Sequence, residues 1–547
     1  MKRILLITLL FIAFSVNAQF RLVRNINPGL NESIPNGFYI FNNKLYFSAI
    51  GSNLRMVYVT DGTTSGTLPI EFNSAGSGIY VQSPALSTNT TFFEYNNELY
   101  FDAKSPGNRV YIVKLLGTNT FTESPSIADV TSISNSASSR FAYPALFNDK
   151  IVYSPFIAAS GAGAIEPYVI DFQTPANTGV LKNVNPIGNG ESDPEEFTSL
   201  PTGILFSAYD PTNGRELWKT DGTTAGTILF NDLNSGIADS NPNQFNVLGA
   251  QLSFVATHST FGRELFKTNG NTGNLVLVKD INTSGDGNPT NVKEINGTLY
   301  FGADNGTTGN ELWKSNGTSF GTTLIKDINP SGDSFPAGFT IVGSTIYFVA
   351  DDGVNGRELW KTDGTAAGTF LVKDINPSGS SNIRNLIEYN GKLYFNADNG
   401  INGEELWVSD GTSAGTLMLE LNPSASAQYT SMIVFNNELF FGAVATPYVI
   451  GSGIGNELYA YKDPALSTTD FQLNENTVSL FPNPTNNYFE IQSKEMLTKV
   501  EVYSLQGQLV KSFLPQNRYD ISELSNGMYF INIQANGNSI SKRLIKQ

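Results

Sequence analysis

Three kinds of side chain recur in this chain at spacings that could do chemistry. Glutamates stand at Glu216, Glu264, Glu311, Glu358 and Glu405, separated by 48, 47, 47 and 47 residues, with another at Glu457. Two such carboxylates flanking one substrate would suit glycoside hydrolysis. A second column holds Asp61, Asp171, Asp221, Asn269, Asn316, Asp363 and Asp410, most of them opening an Asp/Asn-Gly-Thr loop. A third set, Asp304-Asn305-Gly306, Asp351-Asp352-Gly353 and Asp398-Asn399-Gly400, puts oxygen ligands beside glycine, which is chemistry for calcium. Its metal candidates are Asp304, Asp351, Asp352 and Asp398. His258 is the single histidine and there is no cysteine. Disulfides, thiolate sites, cysteine nucleophiles and a serine–histidine–aspartate triad in each repeat are therefore excluded.

Each set also has a structural reading. Asp and Asn interchange freely in the second column, as a turn cap allows and a catalytic acid does not. The third set lacks the full spacing of an EF-hand loop, so plain hairpin turns compete with calcium there. Equivalent glutamates in successive units would be held apart, and beside Arg215, Arg263 or Arg357 they suit a local ion pair or backbone N–H groups. His258, with no second histidine, reads as a turn residue. No residue is assigned a catalytic role and no cofactor beyond calcium is considered.

The elements that position these residues repeat with them. Glu358–Gly379 reads ELWKTDGTAAGTFLVKDINPSG, and close copies start at Glu216, Glu311 and Glu405, a looser one at Glu264. Worn copies at Met56, Arg109, Glu166 and Glu457 bring the anchors to nine. The third position of each is aromatic: Tyr58, Tyr111, Tyr168, Trp218, Phe266, Trp313, Trp360, Trp407 and Tyr459. All four tryptophans lie in this column, as expected of a core position where each unit packs on the next. One unit predicts four short strands, at Phe339–Val342, Thr345–Ala350, Arg357–Thr362 and Thr369–Ile375, with turn-rich loops between them. Such a period fits a propeller blade.

The ends of the array predict closure. Glu457–Lys462 never acquires a fourth strand, and Phe20–Gly29 (FRLVRNINPG) is the missing piece. The expected fold is all-β: a β-propeller of about nine four-stranded blades closed by the N-terminal strand, followed by a small C-terminal β-sandwich. Eight blades with an insertion is the alternative, because Arg109–Glu166 spans 57 residues and is poorly patterned.

The repeat resembles the ELWxxDGT, or hyalin-type, repeats of secreted Bacteroidetes proteins, closely over Glu216–Asn422 and loosely over Phe20–Asp463. That resemblance implies architecture and export rather than an activity. Residues 464–476 read as a linker. Residues 477–547 resemble the type A C-terminal sorting domain of the type IX (Por) secretion system, through Phe481–Pro484 (FPNP), Val502–Gly507 (VYSLQG), Leu524–Tyr529 (LSNGMY) and the basic end Lys542–Lys546. The resemblance implies the type IX machinery as partner and removal of this domain after passage.

Residues 1–18 have signal-peptide anatomy: Met1-Lys2-Arg3, the apolar run Ile4–Phe14, and small residues at Val16 and Ala18 before Gln19. The expected organisation is thus 1–18 signal peptide, 19–463 propeller, 464–476 linker and 477–547 sorting domain. Export through the periplasm to the medium or the outer cell surface follows. A net charge of −16 argues against nucleic acid or an anionic membrane as partner, and no segment is long and apolar enough for membrane insertion. Two functions fit. One is a non-catalytic binding or scaffold protein whose ligand is a glycan or a surface protein. The alternative is a secreted glycan-processing enzyme, hydrolase or lyase, with its site in Arg109–Glu166 or the acidic stretch Glu191–Glu196.

Overall fold

The computed structural model describes residues 19–28, 32–51, 54–72, 92–104, 110–115, 120–123, 139–157, 165–187, 190–423, 425–445, 455–463, 478–493, 497–504, 509–535 and 538–547. The expected signal peptide, the linker and much of 109–166 lie outside the described residues. The chain divides into two compact units, one of which is Ala18–Lys462. In that unit the described residues form nine sheets, antiparallel but for one strand pair, each holding one column aromatic and referred to here by it. Eight have four strands. The Tyr111 sheet has five, because Glu71–Phe72 joins it parallel to Thr120–Glu123.

The Trp360 sheet shows why the unit folds this way. Its strands are Ala337–Val342, Thr345–Asp351, Arg357–Thr362 and Phe370–Lys373, hydrogen-bonded in chain order. The fourth strand is shorter than its sequence pattern predicts. The Thr369 N–H donates back to the Ala366 carbonyl of the preceding loop at 3.4 Å and the Ile375 N–H to Glu358 at 2.9 Å, so both donors are used outside the ladder. Within the second strand the period of two sends Phe348 to the core shared with the Trp313 sheet, and Tyr347 to the core shared with the Trp407 sheet. Both faces of the sheet are covered.

Nine apolar cores fill the spaces between consecutive sheets in this way. Each described column aromatic is buried in the core shared with the preceding sheet; the Tyr111 side chain lies outside the described residues. The rule includes Tyr58, which packs against Val23, Phe440 and Leu458 of the Tyr459 sheet. Gln19–Arg24 supplies the fourth strand of that last sheet, pairing antiparallel with Glu457–Lys462. The first strands of neighbouring sheets approach one another, including Asn36–Phe41 and Met432–Phe435.

The second unit carries Asp463–Gln547. A three-stranded and a four-stranded sheet enclose one core of Phe489, Val500, Val502, Tyr519, Ile521, Ile531, Ile533 and Leu544. Asn483 of the Phe-Pro-Asn-Pro segment donates to the Arg543 carbonyl at 2.7 Å and accepts the Ile545 N–H at 2.9 Å. The two ends of this segment are thereby pinned together.

Candidate functional site

The recurrent glutamates are wholly buried, and their carboxylates are turned inward on the backbone. Glu358 accepts N–H groups from Ile375 and Asn376, the start of the link to the next sheet. Glu216 accepts Leu233 N–H at 2.8 Å, Ser240 N–H at 2.9 Å and the Ser240 hydroxyl at 2.6 Å. Glu166 and Ser192 repeat the pattern, and Glu457 does so with Ile26 and Ser33 from the N-terminal segment. Each glutamate therefore ties the strand that carries it to the chain entering the next sheet. They are clamps, one in each of seven of the nine sheets, rather than a pair across a substrate. None of the seven makes an ion pair among the described residues; Arg215 lies 4.0 Å from Asp193 instead.

The serine of the clamp explains two departures. Gly287 and Ala427 stand where other sheets have Ser240, Ser334 or Ser381. At Glu405 the Tyr429 hydroxyl donates in its place, at 3.4 Å. At Glu264 nothing does, and Oε2 is buried without a partner. Burial drives these carboxyls up: to about 7 for Glu216, Glu264, Glu358, Glu405 and Glu457, and above the ordinary value for Glu166 and Glu311, although the donated N–H groups pull the other way.

The Asp/Asn column closes turns. Asp363 accepts Thr365 N–H at 2.9 Å and the Thr365 hydroxyl at 2.7 Å, and Asn316 does the same for Thr318 at 3.1 and 2.7 Å. A neutral amide does the work of a carboxylate here, which is why the two exchange. The preceding sheet also holds these loops: Lys314 donates to the Gly364 carbonyl at 2.8 Å and Lys326 to Thr369 at 2.7 Å. Arg21 on the N-terminal strand donates to the Gly62 carbonyl at 2.8 Å, and Arg24 donates to Thr67.

The calcium candidates are committed to their own loops. Asp351 accepts Gly353 N–H, Asp352 accepts Val354 and Asn355 N–H, Asp304 accepts Gly306 N–H and Asp398 accepts Gly400 N–H. Among the described residues no group of three or more His, Cys, Asp or Glu is placed to hold a metal ion. His258 accepts Thr260 N–H through Nδ1 at 3.0 Å and lies against Phe261. In the acidic stretch, Glu196 accepts Phe245 N–H at 3.1 Å from the next sheet.

Sequence reasoning missed a recess of about 420 Å³ where the first strands of the Trp313, Trp360 and Trp407 sheets meet, lined by Lys293, Gly338, Phe339, Arg357, Arg384 and Asn385 among others. A signal existed: Gly338 occupies a position held by Gln244, Asn291 and Asn385 at intervals of 47.

These features define an all-β chain of many four-stranded sheets whose recurrent polar residues bond to its own backbone, with a separate C-terminal unit. Residues 479–547 match the Secretion system C-terminal sorting domain. The protein is exported by the type IX system to the cell surface or extracellular space, and this segment interacts with that machinery. No helix of the described residues is long and apolar enough to cross a membrane.

No curated protein matches the chain in sequence. Similar solved structures include a prolyl endopeptidase (10% identity, 77% of this chain and 55% of that one, TM-score 0.37). A puromycin hydrolase shows 11% identity over 78% of this chain and 60% of that one, TM-score 0.38. The extracellular domain of a one-component system from B. thetaiotaomicron shows 10% identity over 94% and 87%, TM-score 0.29. The chain thus spans less than two thirds of the length of the two hydrolases.

Proposed function

We propose that residues 19–463 form a nine-bladed β-propeller of ELWxxDGT repeats, closed by the N-terminal strand, and that this ring is a non-catalytic binding module. Residues 1–18 are its signal peptide and 464–476 its linker to the sorting domain. Its ligand is a glycan displayed outside the cell. The observation that carries this reading is the internal commitment of the repeated polar groups. Every clamp glutamate from Glu166 to Glu457 is buried on backbone N–H groups, and the Asp363-type residues cap turns. What remains for recognition is the loops and the surface where first strands converge.

A glycan array probed with the secreted chain tests the reading. Selective retention on one class of glycan is the expected result. Retention on none, together with hydrolysis or elimination products from the same glycans, would replace binding with catalysis. Retention on none, with capture of a cell-surface protein instead, would move the ligand to the protein class.

A further inference from the structure

In six of the sheets the first strand carries a bulge with one residue in the left-handed region (Gly37, Glu196, Gln244, Asn291, Gly338 and Asn385), and in four of them, all but the two glycines, its side chain bonds to the next sheet. Gln244 donates to the Pro289 carbonyl at 2.9 Å, Asn291 to Pro336 at 3.1 Å and Asn385 to Thr430 at 2.8 Å. The corresponding acceptor for position 338 is Ile383. Gly338, at φ 70°, has no side chain to send there, and the recess opens at that missing stitch, with both Gly338 and Ile383 in its wall.

The same recess holds an unusual cation. Arg55 and Arg215 donate to linker carbonyls at 3.1 and 2.8 Å, and Arg263 donates to Asn243 at 2.7 Å. The Arg357 guanidinium, equivalent to all three, makes no hydrogen bond or ion pair among the described residues. Burial holds it below its usual range, with Asp351 across the ladder acting in the opposite sense. Lys293 likewise has no ion-pair partner among the described residues, while Arg384 is held by Glu404 at 2.6 Å. An acidic protein of net charge −16 thus presents two uncommitted cations in one recess. Phe339 and Leu386 line it with apolar surface, and the oxygens of Asn291 and Thr340, whose donors are engaged by Pro336 and by Gly338 and Leu386, are left to accept hydrogen bonds.

We propose that this recess binds a carboxylate-bearing sugar, a uronic acid unit of a glycan, with its carboxylate on Arg357. The inference rests on the glycan-binding reading above and specifies its ligand. A guanidinium with no internal partner offers a fork of N–H donors matched to a carboxylate. The volume lies within the range of small-ligand sites and suits one or two sugar units. Amide oxygen and ammonium groups meet hydroxyls, and the apolar surface meets a ring face. The acidic exterior repels a long polyanion and so favours a single anionic unit.

The test is calorimetric titration of the full secreted chain with glucuronate, galacturonate, glucose, acetate and a glutamate-rich peptide. A uronate should bind at least about tenfold more tightly than glucose or acetate. Arg357→Gln should weaken it by at least about tenfold. Gly338→Asn should abolish binding by placing its side chain across the recess toward Ile383, and it should fold, because an added Cβ meets only ordinary contacts, at 3.4 Å from Leu386, and Asn already occupies this conformation at Asn291 and Asn385. It would restore the stitch and raise the melting temperature. Equal binding of glucose and uronate, or affinity unchanged in both variants, would overturn the proposal; tighter binding of the peptide would overturn its sugar assignment. If Arg357→Gln unfolds, Gly338→Asn decides alone. Array binding of neutral glycans that ignores both variants would sink the recess and leave the binding ring standing.

Discussion

Glu457 accepts the backbone N–H of Ile26 at 2.7 Å, although 431 residues separate them. The contact is the Glu358–Ile375 clamp in another sheet, made with the far end of the chain. Chain order is broken at this sheet, and the interaction is not.

A chain starting at Pro28 tests that equivalence. Without Gln19–Asn27, Glu457 loses its N–H donor, Val23 and Ile26 leave their core, and Glu457–Lys462 becomes an open edge. The truncated protein should melt well below the intact one and aggregate in light scattering. An unchanged melting temperature would show that the strand is dispensable.

Stability should fall as pH rises from 4.5 to about 7, the interval between the unfolded and folded values of the clamp carboxyls, and level off above it. The folded-state values of Glu216, Glu264, Glu358, Glu405 and Glu457 are raised to about 7 from an ordinary 4.5. A raised carboxyl contributes stability fully below its unfolded value and loses it as pH climbs through the folded one. Calorimetric melting should therefore come later at pH 5 than at pH 8, and Glu358→Gln should flatten part of that slope. The turn carboxylates Asp363 and Asp410, held low chiefly by a threonine hydroxyl, act in the other direction and only in stronger acid.

The column aromatic and the turn cap should separate in mutational cost. Trp360→Ala empties a site packed by Tyr300, Leu312, Phe339 and Phe348, and should cost roughly 3–5 kcal/mol. Asp363→Asn should change little, since Asn316 already makes the same bonds. Urea unfolding of the two variants checks this. Matching midpoints would contradict the packing role of the column.

The clamp serine can be removed or restored. Ser240→Ala strips a hydroxyl from buried Glu216 and should cost about 1–3 kcal/mol. Gly287→Ser should stabilise by supplying the donor that Glu264 Oε2 lacks, with a small movement of a carboxylate that now stands 2.4 Å from the new Cβ. Paired thermal melts read both. A destabilised Gly287→Ser protein would mean the glutamate cannot give way.

Deleting 477–547 in a host with the type IX machinery should leave the folded all-β unit in the periplasm. The sorting match covers 479–547, and the segment has its own core. The complete chain should reach the surface or medium, shortened by removal of the tail. Fractionation and mass spectrometry give the answer: export of the truncated chain would remove the sorting role, and an intact Gln547 would remove the cleavage.

The sequence by itself determined the repeat length, the four-strand unit, the aromatic column, the turn role of Asp363 and Asn316, and the address of the tail. Those features are local. Alternation, glycine turns and Asp/Asn exchange act within a few residues, so each copy testifies to the others. Even the pairing of Phe20–Arg24 with Tyr459's strand was legible, because a missing piece and a spare piece share one pattern. Only the tertiary structure decided what the glutamates do and where an open recess lies. Glu358 meets a backbone N–H seventeen residues on, Lys314 a carbonyl fifty residues on, and Gly338 an absent partner in the next sheet. Each depends on the register between sheets, which is set by side chains packing across nine separate cores. A glycine in place of an asparagine is a small change along the chain. It becomes a cavity only when the neighbouring sheet supplies the other wall.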